Sequence, residues 1–394
     1  MSDKENIIAL DKNIYIQSNI QRRIAALDVS RGVAMILIIA LHFGLTWMDK
    51  GSVYLAGAAQ ILLEFMGPSM FIVLSSISVI FTVKRKQDNS SERAIRSNIF
   101  MRGLTVITLG VLMNLVTLNL WGWNILMLIG FGQIFTYYAQ KISVKPRIVI
   151  GLIILIISEP LREALWLYKN TNVIFTILDL MISSPLPEYT LLPWLSICFL
   201  APIIGEKFYE VLREGSEVAY RKLFQNLMIS GAICVIFGII TGLQLKNTTD
   251  VVYYEMYPYL KLLDIWNYQD IAPVLGLPKF LLTATTPYIF YHLGMDLLFI
   301  GGVFYILDIK NIHNIFIKML KFYGKASLNL FLIEYIFISL FRMSLTLVYF
   351  VFTVVTFIGF LGILMFLWEK YAFSIGTPEW LFGLVLRGNL KNKI

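Results

Sequence analysis

Apolar runs of roughly 20 residues, the length that crosses a bilayer, recur along this 394-residue chain. Few folds tolerate such a pattern. A backbone in lipid must satisfy its own hydrogen bonds, which leaves helices or closed barrels, and runs of this length predict helices. Ten spans are expected, at approximately 27–48, 54–83, 97–118, 122–140, 146–168, 188–206, 222–243, 284–307, 325–341 and 345–369. The fold class is therefore all-α, a polytopic membrane bundle of about ten transmembrane helices. Hydrophobic residues make up 58% of the chain and charged residues 15%. No stretch between the runs is long enough to build a separate soluble core.

The basic residues orient the bundle. With ten spans, 25 of the 33 Lys and Arg fall in segments on one side and 7 on the other, with Arg31 inside the first span. Lysine and arginine accumulate in cytoplasmic loops, so both termini are expected in the cytoplasm of a multi-pass protein of the cell membrane. Residues 1–22 are polar, lack a signal-peptide pattern and read as a cytoplasmic N-terminal tail. Residues 388–394 read as the matching C-terminal tail. The net charge of +8 follows from these basic loops, and no nucleic-acid partner is implied. Histidines 42, 292 and 313 are too scattered for a shared metal site, and Cys198 and Cys234 fall in apolar runs as small core residues.

The first span carries the chemistry-bearing pair. Arg31 and His42 are eleven residues apart, which at 100° per residue brings them within about 20° of one helix face, separated by about 16 Å along the axis. A guanidinium in a span costs roughly 2.5–3.5 kcal/mol, which Arg31 can relieve either by snorkelling to the cytoplasmic headgroups or by facing the bundle interior. Asp28, three residues earlier, can hold Arg31 on the same face. Asp28 or Ser30 can also cap the first turn. Arg31 is then available to an anionic ligand entering from the cytoplasm. His42 offers a side chain whose ordinary pKa lies near neutrality and can serve as general base. Such a base needs a partner to fix its tautomer. Glu64 in the returning second span is expected at nearly the same depth, about 6 Å away along the axis, with Gln60 on its face. Six basic residues, Lys84 to Arg102, fill the next inner loop. Arg96 and Arg102 are candidates for the phosphates of a coenzyme A ester. His292 and Asp296, four apart in the eighth span, form a second polar face, and Glu334 is a buried carboxylate in the ninth. Asp28, His292, Asp296 and Glu334 are the candidates for holding a second substrate. The loop at about 244–283 mixes tyrosines and a tryptophan with carboxylates, a composition suited to a polyol or to a membrane interface.

Several motifs together resemble a known family. Arg23-Ile24-Ala25-Ala26-Leu27-Asp28-Val29-Ser30-Arg31-Gly32 with His42-Phe43 looks like the opening of the catalytic region of heparan-alpha-glucosaminide N-acetyltransferases. The Arg–ten residues–His spacing is shared with the wider transmembrane acyltransferase superfamily, including the acyltransferase-3 group. Phe65-Met66-Gly67-Pro68-Ser69-Met70-Phe71, Trp123-Asn124 through Gly130, Leu191-Leu192-Pro193-Trp194-Leu195, Phe322-Tyr323-Gly324-Lys325-Ala326-Ser327-Leu328 and Pro378-Glu379-Trp380-Leu381 resemble later blocks in the same order. The resemblance spans residues 23–387, as one transmembrane acyltransferase domain.

That resemblance implies a donor, acyl-CoA (acetyl-CoA in the simplest case), approaching from the cytoplasm. It implies a sugar or lipid-linked sugar acceptor on the far side, His42 as base, and no tightly bound cofactor. A homodimer is compatible with it. Three places depart from the resembled pattern. Relatives of the heparan enzyme carry asparagine where His42 stands and a later histidine whose place falls here at Val53. Many carry histidine where Glu334 stands. The residues alone leave a second function open, a transporter or flippase for a glycolipid or small metabolite, in which the same buried charges would line a pathway.

Overall fold

The computed structural model describes residues 24–116, 122–182, 189–247 and 276–371. The aromatic loop anticipated at 244–283 falls mostly outside the described residues, as do both tails. Helices dominate. In chain order they are α1 (Ala25–Trp47), α2 (Val53–Leu63), a 3-10 turn (Glu64–Met66), α3 (Pro68–Lys86), α4 (Glu92–Val116), α5 (Ile125–Ala139) and α6 (Val144–Tyr168). There follow α7 (Val173–Ile182), α8 (Leu191–Glu214), α9 (Glu217–Thr241), α10 (Thr286–Phe304) with a π turn (Tyr305–Ile309), α11 (Ile315–Lys325), α12 (Ser327–Phe337) and α13 (Leu347–Tyr371). One small antiparallel ribbon pairs β1 (Leu245–Asn247) with β2 (Gly276–Pro278), Leu245 opposite Pro278.

Each of the ten expected spans overlaps helix, and among the described residues seven segments are long and apolar enough to cross a membrane. The other three differ for physical reasons. α5 has 15 residues and α12 has 11, too short to cross alone. α6 is a full 25 residues but carries Lys145, Arg147, Glu159, Arg162 and Glu163. Two of its cations are resolved within the protein. Arg147, 1% exposed, makes a two-pronged contact with Glu206 of α8 at 2.7 and 3.0 Å, and Arg162 donates to the Ala284 carbonyl at 2.6 Å. Bidentate pairing of this kind is among the strongest polar contacts available to arginine. Glu159 pairs with Lys279. Outward faces of α6, α7, α9 and α13 are lined by exposed apolar side chains such as Ile156, Val173, Ile236 and Phe352, as lipid-facing helices require.

α1 is central. It contacts α2, α3, α10, α11, α12 and α13. Its first turn has no side-chain cap of its own. Instead the Asp308 carboxylate, on the π turn after α10, accepts from the Ala25 and Ala26 amides at 3.0 and 2.9 Å. The capping role expected of Asp28 or Ser30 thus belongs to a residue 282 positions away, which no local pattern reveals. An anionic group at a helix N-terminus satisfies orphan amides and complements the helix dipole. At the other end Trp47 stacks on Phe43 (3.9 Å between ring centroids) and donates to the Ile338 carbonyl at 3.0 Å.

α11 approaches α1 backbone to backbone. A Cβ at Gly324 would lie 1.9 Å from the Asp28 carbonyl oxygen, and one at Gly32 would lie 2.0 Å from that of Leu320. Glycine is the side chain that permits such contact between membrane helices. Gly324→Val should therefore push α11 off α1 and destabilise the protein by about 1–3 kcal/mol or more, read as a lower midpoint in a thermal scan of detergent-solubilised protein. A midpoint equal to that of the parent would contradict the packing described.

Candidate functional site

A cavity of about 800 Å³ opens between α1, the α2–α3 break, α4, α5 and the α11–α12 junction. The local sequence explains its shape. The second span is apolar over Val53–Lys86 yet does not run straight. α2 stops at Leu63, Glu64–Met66 tighten into a 3-10 turn, and Gly67 (φ −90°, ψ −118°) precedes Pro68 at the first position of α3. Proline there loses no helical hydrogen bond. The break puts Glu64, 5% exposed, on the cavity wall, where Gln60 donates to its Oε2 at 3.2 Å.

Arg31 and His42 both line this cavity, as their shared helix face predicts. Arg31 Nη2 donates weakly to the Leu74 carbonyl at 3.4 Å. Around the Arg31 end the wall adds Asp28, Arg85, Lys86, Arg102 and Lys325. Arg85 also sits over the Phe81 ring, 5.1 Å from its centroid. The wall also carries the hydroxyls of Ser75 and Ser78 and the carboxamide of Gln133, which donates to Ser75 at 3.1 Å. The remaining wall is apolar, with Leu37, Leu41, Leu63, Phe71 and Ile129 among its residues.

His42 Nδ1 lies 2.8 Å from Glu334 Oε1. Its ring is edge-on to Tyr335 at 6.1 Å and tilted against Phe331 at 6.5 Å. Glu334 is fully buried, and the His42 side chain is 24% exposed. A carboxylate on one ring nitrogen leaves the other as the acceptor. The structure thus places Glu334 against His42 Nδ1, where the depth argument points to Glu64. Glu64 is nearby in the same cavity and bonded to Gln60. The sequence signal for Glu334 was its burial in an apolar helix. Its pairing, 292 residues away, had none.

Three other expected site residues sit elsewhere. Arg96 is exposed and lies outside the cavity wall. It precedes Arg102 by six residues, a rotation of about 240° past a full turn, so the two cannot share a face. His292 and Asp296 are buried on α10, away from the cavity. His292 stacks on Tyr288, 3.7 Å between centroids, and Asp296 accepts from Ser69 of α3. Lys325, Arg85 and Lys86 were not singled out individually as site residues, because each sits in a basic stretch that orientation alone explains.

The fold and this site define a class: a polytopic helical membrane protein with a basic-mouthed internal cavity that ends at a histidine–carboxylate pair. Residues 23–240 match the family model described as heparan-alpha-glucosaminide N-acetyltransferase, catalytic. This chain belongs to that family, and with it to the membrane acetyltransferases, a group of transferases. No curated protein matches the chain. The matched region holds α1 to most of α9, and so Arg31, His42, Glu64 and Arg102, while Glu334, His292 and Asp296 lie beyond it.

Continuity of the cavity can be checked chemically. In a background with Cys198 and Cys234 replaced by alanine, Ser75→Cys should react with a small water-soluble maleimide. Ser76→Cys, whose parent serine is 1% exposed and faces Thr136 at 3.1 Å, should not. Equal reactivity at both positions would contradict the wall assigned here.

Proposed function

We propose that this protein moves an acyl group, acetyl in the simplest case, from acyl-CoA onto a sugar or lipid-linked sugar. The observation that carries this is that one cavity joins a cluster of cations to the His42–Glu334 pair. In this proposal the chain crosses the cell membrane ten times with both termini in the cytoplasm, in keeping with the distribution of Lys and Arg. The Arg31 end then faces the cytoplasm and the His42 end the far side.

Coenzyme A is large and anionic and does not cross a bilayer. Its phosphates are held at the cytoplasmic mouth by Arg31 and Arg102, with Arg85, Lys86 and Lys325 adding positive charge around them. Asp28 limits the mobility of Arg31. The pantetheine arm runs inward past Ser75, Ser78 and Gln133, bringing the thioester toward His42. Glu334 accepts the Nδ1 hydrogen of His42 and sets the tautomer, so Nε2 takes the proton from the acceptor hydroxyl or amine. The freed lone pair attacks the thioester carbonyl, the C–S bond breaks, and the departing thiolate takes the proton back from the imidazolium. Glu64 and Gln60, on the wall beside His42, hold acceptor hydroxyls. Holding both substrates in one septum contributes proximity, and the base adds typically a hundred- to ten-thousand-fold.

His42→Ala should lower transfer of radiolabelled acetyl from acetyl-CoA to a glycan acceptor by about 10²–10⁴-fold without changing acetyl-CoA binding. Full activity in a folded variant would end this mechanism. Arg102→Ala should instead raise the KM for acetyl-CoA with little change in kcat, since it acts on a remote phosphate and not on the reacting atoms. A transporter or flippase is the outcome if purified protein neither binds acetyl-CoA nor forms an acylated product.

A further inference from the structure

The proposed reaction leaves Asp296 without a task, although a fully buried carboxylate in a membrane helix is costly. Asp296 is 0% exposed, and its Oδ2 accepts a hydrogen bond from the hydroxyl of Ser69, also 0% exposed. Ser69 stands in the first turn of α3, two residues after Gly67, where the second span breaks. A helical serine ordinarily turns its hydroxyl back to a carbonyl of its own preceding turn. This one crosses to α10 instead.

The two faces of the break are therefore different. Glu64, Met66, Gly67 and Pro68 line the cavity, while the next residue is tied from behind to α10. The break itself is weakly determined by local bonds. The Gly67 amide donates to the Glu64 carbonyl at 2.8 Å, that of Phe71 reaches Gly67 at a long 3.3 Å, and Pro68 has no amide hydrogen. We propose that the Ser69–Asp296 hydrogen bond is a clamp that fixes the α2–α3 break and so sets the position of Glu64 in the cavity. Asp296 is a positioning residue and touches neither substrate. This deepens the functional reading above by assigning control of the acceptor-side wall to α10.

The clamp is tested by hydrogen–deuterium exchange on the full-length protein in lipid nanodiscs, followed by mass spectrometry. Ser69→Ala and Asp296→Ala should each speed exchange in peptides covering residues 60–71 by roughly tenfold, the loss expected for one buried hydrogen bond, with peptides from α9 unchanged. Asp296→Asn keeps a carbonyl oxygen for the Ser69 hydroxyl and should restore slow exchange. Parent-like exchange at 60–71 in both alanine variants would overturn the clamp, as would an increase spread evenly over the chain. In the acetyl-transfer assay, Ser69→Ala should raise the KM for the acceptor severalfold and leave that for acetyl-CoA unchanged. If the parent protein transfers no acetyl group, the functional reading fails, and the exchange result still decides the clamp.

Discussion

The contact between His42 and Glu334 is the constraint on which the rest of the site depends. It joins α1 to α12 at 2.8 Å, with the carboxylate fully buried. An isolated carboxylate in such surroundings carries a desolvation penalty of several kcal/mol, and pairing with an imidazole offsets part of it. The pairing also fixes the ring. With Nδ1 at Glu334, Nε2 is the ring nitrogen left for a ligand, and His42 lines the same cavity as Arg31, Arg85, Arg102 and Lys325. Stability and chemistry are thus asked of the same two side chains. The neighbouring rings of Phe331 and Tyr335 keep the pair in a largely apolar setting, where electrostatic interactions are stronger than in water.

α1 brings this pair to its place, and three devices hold α1. Asp308 caps its first turn, Gly32 and Gly324 let α11 approach it at backbone distance, and Trp47 pins its far end to the Ile338 carbonyl. Each fixes the helix along its axis or about it. A shift of one residue would turn Arg31 and His42 by about 100° and take both out of the cavity. The tight fixing of α1 and the shared face of its two polar residues are therefore parts of one requirement.

Much of this was legible from the residues. Hydropathy located the helices, seven of which are long and apolar enough to cross a membrane among the described residues, because a helix in lipid has no alternative means of satisfying its backbone. The spacing of Arg31 and His42 gave their common face from helix geometry alone, whereas the break at Gly67-Pro68 interrupts a span expected to be continuous over 54–83. Long-range partners were not legible. Glu334, Asp308 and Asp296 are each read in sequence as an isolated carboxylate in or beside an apolar run, and nothing local says which helix each will meet. Depth alone selected Glu64 over Glu334 as the partner of His42, and depth does not specify rotation. Arg96 lies outside the cavity wall, since membership of a basic loop does not fix the face on which a side chain emerges. His292 and Asp296 were recognised as a pair on one face, but that face turns toward α3 and α8 instead of the cavity. Membership of the acetyltransferase family rests on residues 23–240, and the helices beyond supply the carboxylates that hold and orient that part.

A structure of the protein with a non-hydrolysable acetyl-CoA analogue would test the central claim most directly. The account places the analogue's phosphates among Arg31, Arg102 and Lys325 and its acyl carbonyl within reach of His42 Nε2, while Nδ1 stays on Glu334. An analogue bound outside the cavity, or inside it with the acyl group turned away from His42, would contradict the account.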